Sequence, residues 1–114
     1  MDKRLDIIKG AIEDKKGKEI LIIELNSESR LFDYMVFVTG NSDKNVKAIS
    51  DGIEDDLAEI EVFKFQREGY NEKEWILLDY GDIIINILNK RLREYYKLED
   101  LHKNAKIIYE NYSE

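Results

Sequence analysis

Residues 75–88 read WILLDYGDIIINIL: two strongly apolar runs with only Asp79, Tyr80, Gly81 and Asp82 between them. Apolar runs this close are best joined as an antiparallel β-hairpin. Gly81, lacking a Cβ, supplies the positive φ that a tight connection needs. Side chains alternate across a strand, so Trp75, Leu77 and Asp79 share one face and Ile76, Leu78 and Tyr80 the other. Alternation does not say which face is buried. The acidic tetrad raises the question of metal chemistry. Metal-dependent nucleotidyl transfer needs carboxylates converging on two cations, commonly an acidic pair two residues apart on one strand. Asp79 and Asp82 lie three apart across a turn and leave it in different directions. Aspartates are ordinary in tight turns, where they bond nearby backbone N–H groups.

The rest of the chain supplies the partners for this hairpin. Leu5, Ile8 and Ile12 recur at helical spacing, and Gly17 is a plausible stop for that first helix. EILIIEL (19–25) and YMVFVT (34–39) read as buried strands joined by a polar connection, the second ended by Gly40. Val46, Ile49, Ile53 and Leu57 lie on one face of a second helix. Ser42 is its natural N-cap, and Asp43 suits the positive end of its dipole. EVFKFQ (61–66) reads as a third strand, and strand–helix–strand order implies a right-handed crossover with the second and third strands parallel. NKRLREYYKLEDLHKNAK (89–106) is helical in pattern, with Leu92, Tyr95 or Tyr96, Leu98 and Leu101 on its apolar side. The expected order is α, β, β, α, β, β, β, α. The expected fold class is α/β: a mixed five-stranded sheet with helices packed on it. A single domain is expected over 1–106, with 107–114 a loosely held tail.

Composition removes most catalytic apparatus. The 114 residues contain no cysteine, so disulfides, Cys-zinc sites and thiol catalysis are excluded. The one histidine, His102, excludes a two-histidine metal site. A net charge of −7 argues against bare DNA or RNA, because phosphate neutralisation needs clustered Lys and Arg. It favours encounter with a basic partner. No apolar run approaches the roughly 18–20 residues of a membrane helix. The N-terminus also lacks a signal peptide's apolar core, so a cytoplasmic location without membrane attachment is expected.

Three further features carry alternative readings. TGNSDKN (39–45) offers a glycine and a small polar residue at a strand-to-helix turn, where backbone N–H groups can bind phosphate. The Walker pattern is absent, and Asp43 would repel a phosphate, so a capped helix start is the better reading. Trp75 is either a core residue or, if exposed, an interface anchor of the kind that dominates binding hot spots. Of the adjacent Tyr95 and Tyr96, one should pack inward and the other remain available for contact.

In their order and spacing, DYMVFVTGNSDKNVKAISDGIEDDL (33–57), REG (67–69), WILLDYGDIIINIL and RLREYYKLEDLHKNAK (91–106) closely resemble the ribosomal silencing factor (Iojap) family. The likeness runs from about residue 5 to residue 106. It implies a nucleotidyltransferase-like fold that has lost its catalytic carboxylates, a non-enzymatic function and no cofactor or metal. It further implies binding to the large ribosomal subunit through ribosomal protein fourteen, which blocks joining of the small subunit and represses translation when nutrients are limiting. Transferred position by position, the contact surface comprises Trp75, Leu78, Asp79, Tyr80 and Asp82, with Arg67 and Glu68 beside them and Arg93, Tyr96 and Lys103 from the last helix. In this picture Trp75 and Tyr80 are the desolvated anchors, and the carboxylates meet a partner's Lys and Arg. Two positions depart from the family pattern: Asn86 stands where a histidine is common, and His102 where a tryptophan is. Homodimerisation occurs among relatives and is left open by the sequence.

Overall fold

The computed structural model describes residues 1–25, 33–97, 100 and 105–112. Its elements are α1 (Lys3–Asp14), β1 (Lys18–Glu24), β2 (Tyr34–Gly40), α2 (Asp43–Ala58), β3 (Gln66–Glu68), β4 (Trp75–Asp79), β5 (Ile83–Asn89), α3 (Lys90–Tyr96) and β6 (Lys106–Asn111). The strands form one mixed sheet in the order β3-β4-β5-β2-β1-β6. The expected α/β architecture is present, with six strands in place of five.

α1 and α2 form where cap and apolar spacing agree. Ser42 accepts the Asn45 N–H at the start of α2, and Asp2 accepts the Arg4 N–H at the start of α1. Leu5, Ile8 and Ile12 of α1 and Val46, Ile49, Ile53 and Leu57 of α2 are buried together against Ile20, Ile22, Val36, Val38, Ile76, Leu78, Ile83, Ile85 and Ile87. This single core lies on one face of the sheet. Burying an Ile or Leu fully is worth about 1.5–3 kcal/mol, so this layer dominates the stabilisation. β2 and β5 pair in parallel at the centre of the sheet. Both are almost continuously buried, as expected of strands covered on two faces. On the opposite face Leu21, Ile23 and Phe37 form a second, smaller cluster.

Three expectations need correction. The third strand is only Gln66–Glu68, because the chain turns at 59–61 and continues without ladder pairing through residue 64. β2 and β3 do run in the same direction, since β5 is parallel to β2 and two antiparallel pairings separate β5 from β3. They are not neighbours: the hairpin lies between them. The last helix ends at Tyr96, where Lys97 takes a left-handed conformation (φ 48°). Leu98 and Leu101 lie outside the described residues. The supposed tail contains β6, which pairs antiparallel with β1 from Ile20↔Asn111 to Glu24↔Lys106. Its apolar residues, Ile107, Ile108 and Tyr109, give it a strand's character at a free sheet edge.

Candidate functional site

The hairpin tip is built by side chains acting locally. Tyr80 donates its N–H to the Ile83 carbonyl at 2.9 Å, leaving Gly81 and Asp82 as a two-residue loop. Gly81 has φ +89°, the position that a tight hairpin reserves for glycine. Asp79 Oδ1 accepts the Gly81 N–H at 2.8 Å and so caps the turn. Asp82 faces the other way. Its carboxylate receives Arg4 Nη1 and Nη2 at 2.8 Å each, and Arg4 also reaches Asp2 at 3.0 Å. These hydrogen bonds from Arg4 hold the Asp82 and Asp2 carboxyls below the usual carboxylate range, and both carboxylates raise the guanidinium. Two aspartates three apart in sequence thus have separate structural duties.

Burial in β4 alternates. Ile76 and Leu78 are fully buried towards α1 and α2, and Tyr80, 6% exposed, continues that face. Burial, with Glu54 nearby, pushes the Tyr80 hydroxyl up to about 12. Trp75, Leu77 and Asp79 therefore occupy the face away from α1 and α2. There Trp75 Nε1 donates to Asn86 Oδ1 at 3.2 Å, across the β4–β5 ladder. The Trp75 ring lies 5.4 Å from the Tyr96 ring, which meets Tyr95 edge-on at 4.9 Å. Such tilted aromatic pairs are favourable beyond their area alone. Tyr95 is 76% and Tyr96 48% exposed, while Trp75 beneath them is half-buried. A shallow groove beside it is lined by Glu68, Gly69, Trp75 and Leu77. α3 is held here by Arg93, which is buried, donates to Thr39 Oγ1 at 3.1 Å and lies over the Phe37 ring.

The strand-to-helix turn at Gly40 has its own internal partners. The Asn41 N–H goes to Asn45 Oδ1 at 2.9 Å, and Ser42 Oγ accepts the Asn45 N–H at 3.0 Å. A Cβ on Gly40 would come within 2.6 Å of Val46, so this glycine serves close packing of strand on helix. The capped helix start is the reading the geometry supports.

The model of a family described as "Ribosomal silencing factor during starvation" matches residues 1–114. The chain belongs to that family. It is 37% identical over 101 residues to the ribosomal silencing factor RsfS of Bacillus subtilis, covering 89% of this chain and 86% of that protein. It is 35% identical over 91 residues to the RsfS of Chromobacterium violaceum, covering 80% and 75%. The crystal structure of a Chromobacterium violaceum protein superposes with a TM-score of 0.86 at 31% identity, covering 90% of this chain and 86% of that one.

In this member of the silencing-factor family, the expected contact residues separate into distinct groups. Trp75, Asp79, Glu68 and Tyr96 come together on the face opposite α1 and α2. Leu78 and Tyr80 do not join them, because strand alternation sends both into the core. Tyr80 is therefore not an exposed anchor. Arg67 points to the α2 side, ion-paired with Glu54 at 3.0 Å and stacked 3.6 Å from the Tyr70 ring. Arg93 is buried under α3, and Asp82 is engaged by Arg4. Lys103 and His102 lie outside the described residues. Neither tyrosine of the Tyr95–Tyr96 pair packs inward; Arg93 takes the buried position of that turn.

Sequence reasoning missed Leu77 and Arg4, and expected only one of Tyr95 and Tyr96 to be available for contact. Leu77 shares its strand parity with Trp75, which was a usable signal. Nothing local marks Arg4, whose partner is 78 residues away. Among the described residues, no helix is long and apolar enough to cross a membrane.

Proposed function

We propose that this protein silences translation by occupying a surface, with no bond made or broken and no cofactor. It docks on ribosomal protein fourteen of the large subunit, in the cytoplasm, and the docked protein stands in the way of the small subunit when nutrients are limiting. One observation carries the reading: a half-buried Trp75 joins the exposed Tyr96 and Tyr95 on a sheet face beside Glu68 and Asp79, in a chain of net charge −7. Aromatic side chains supply the desolvated centre of an interface, and carboxylates beside them suit a partner made basic by its contact with RNA. Trp75, Leu77, Glu68, Asp79 and Tyr96 form this surface. The alternative occupant is a second copy of the chain, stacked on the same aromatic group.

Co-sedimentation with separated ribosomal subunits tests the proposal. The protein should travel with large subunits, and Trp75→Ala should weaken that binding by about 2 kcal/mol, the usual cost of losing a central anchor. Asp79→Arg should weaken it as well, at the further expense of the Gly81 cap. Unchanged binding by both folded variants would place the docking surface elsewhere. Sedimentation velocity of the protein alone identifies a homodimer by its mass.

A further inference from the structure

Residues 53–61, IEDDLAEIE, contain five acidic residues and no basic one. α2 ends within this stretch in a Schellman-type turn. The Glu61 N–H reaches the Ala58 carbonyl at 2.9 Å, and the Val62 N–H reaches the Leu57 carbonyl at 3.0 Å. Glu61 takes φ +59°, a left-handed conformation normally given to glycine. The turn therefore fixes the direction in which the chain leaves the helix. Val62 then packs against the main core. The Lys64 ammonium is ion-paired with Glu54 of α2 at 2.6 Å. The Phe65 N–H donates to the Asp79 carbonyl at 2.8 Å, extending the β3–β4 pairing by one bond.

The segment is thus held at its start, its middle and its end. Even so, it presents Phe63 at 66% and Phe65 at 79% exposure. Single exposed apolar residues need no explanation. Two phenylalanines on a backbone held at three points are different, because their burial by a partner would cost little further ordering. The Phe65 ring lies over the hairpin tip, where a Cβ on Gly81 would fall 2.7 Å from its Cε2. Phe65 thus reaches the hairpin tip next to Asp79, whose carbonyl its N–H meets. Asp55, Glu59 and Glu61 around the helix end are exposed. A carboxylate rim of this kind opposes an anionic membrane, a nucleic-acid backbone or the same patch of a second copy. It favours a cationic protein surface.

We infer that Phe63 and Phe65 form a second anchor of the docking surface, inserting into an apolar recess on a basic protein of the large subunit while Asp55, Glu59 and Glu61 meet its lysines and arginines. This rests on the silencing reading above. It enlarges the surface from the Trp75 group, along β4, to the far side of the hairpin tip.

The test is co-sedimentation of the full chain with purified large subunits, using the parent, Phe63→Ala, Phe63→Ala/Phe65→Ala, Glu59→Lys/Glu61→Lys and Trp75→Ala, each checked by thermal melting. The double alanine variant should bind about tenfold or more weakly and Phe63→Ala severalfold more weakly. The lysine variant should bind more weakly, with a shallower dependence on salt. If the double variant fails to fold through loss of the Phe65–Gly81 contact, Phe63→Ala and the lysine variant decide. Parent-like binding by Phe63→Ala and the lysine variant, with Trp75→Ala weakened, would overturn the second anchor and leave the silencing reading standing. A parent that does not co-sediment overturns both.

Discussion

Arg4 grips Asp82 with both terminal nitrogens, Nη1 to Oδ1 and Nη2 to Oδ2, each at 2.8 Å. The pair fastens α1 to the hairpin tip across 78 residues of sequence. A carboxylate expected to await a partner's cation already holds one from its own chain. Such a fork-shaped pair is the strongest geometry available to these groups, although its partial exposure limits its worth.

Arg4→Met should therefore destabilise the fold by about 1 kcal/mol at neutral pH. The pH dependence follows from the lowered pKa values of Asp82 and Asp2. A carboxyl whose folded pKa lies below its unfolded value stabilises the fold above that unfolded value, 3.8 here, and ceases to do so as pH falls through the folded value. The difference in unfolding free energy between parent and variant should be constant above about pH 5 and shrink below pH 3.8. Urea titrations at a series of pH values measure it; a gap that did not shrink as pH falls below 3.8 would refute the assignment.

Asn86 is buried, accepts from Trp75 through Oδ1, and among the described residues leaves Nδ2 without a partner. Asn86→Leu removes both the unpaired donor and the acceptor that orients the indole. Stability should change little or rise, because an unpaired buried donor costs about 1–3 kcal/mol. Binding to large subunits should fall, since Trp75 loses its orienting bond. A variant equally stable and equally tight would show that Asn86 does not position the tryptophan.

The glycines divide cleanly. A Cβ on Gly69 would overlap the Trp75 carbonyl oxygen, at φ +80°. Gly69→Ala should cost roughly 3 kcal/mol or more, or prevent folding. Gly10 lies within α1 and a Cβ there meets nothing within 4 Å. Gly10→Ala should stabilise the protein by about 0.5–1 kcal/mol. Thermal melting of both variants checks the opposite signs.

Deleting residues 106–114 removes the whole of β6 and exposes the β1 edge with its apolar Ile20, Ile22 and Ile23. The truncated chain should melt several degrees lower and self-associate, because an uncovered apolar edge strand is a template for pairing. Removing 113–114 alone provides the control.

What could be read along the chain was whatever depends on near neighbours. The helix of α1 and that of α2 follow from apolar spacing and a capping side chain, and the β4–β5 hairpin from two apolar runs and one glycine. The failures have the same origin seen from the other side. EVFK is apolar enough to start a strand, but the chain turns at Glu61 and Lys64 pairs with Glu54 of α2, so the ladder begins only after them. KIIYEN looked like a tail because the neighbour that makes it a strand, β1, is about 85 residues earlier in the chain.

The sequence by itself determined the α/β class, a sheet with helices packed on it, and the stretch from which the candidate surface comes. Periodicity and capping are local, so they are visible in one dimension. Only the tertiary structure decided which face of β4 is covered. Packing of α1 and α2 buries Leu78 and Tyr80 and leaves Trp75, Leu77 and Asp79 outside. It also decided that Asp82 is satisfied by Arg4 and that Phe63 and Phe65 stand exposed. These outcomes depend on which distant groups meet, and a side chain's solvent exposure and charge partner exist only once they have met.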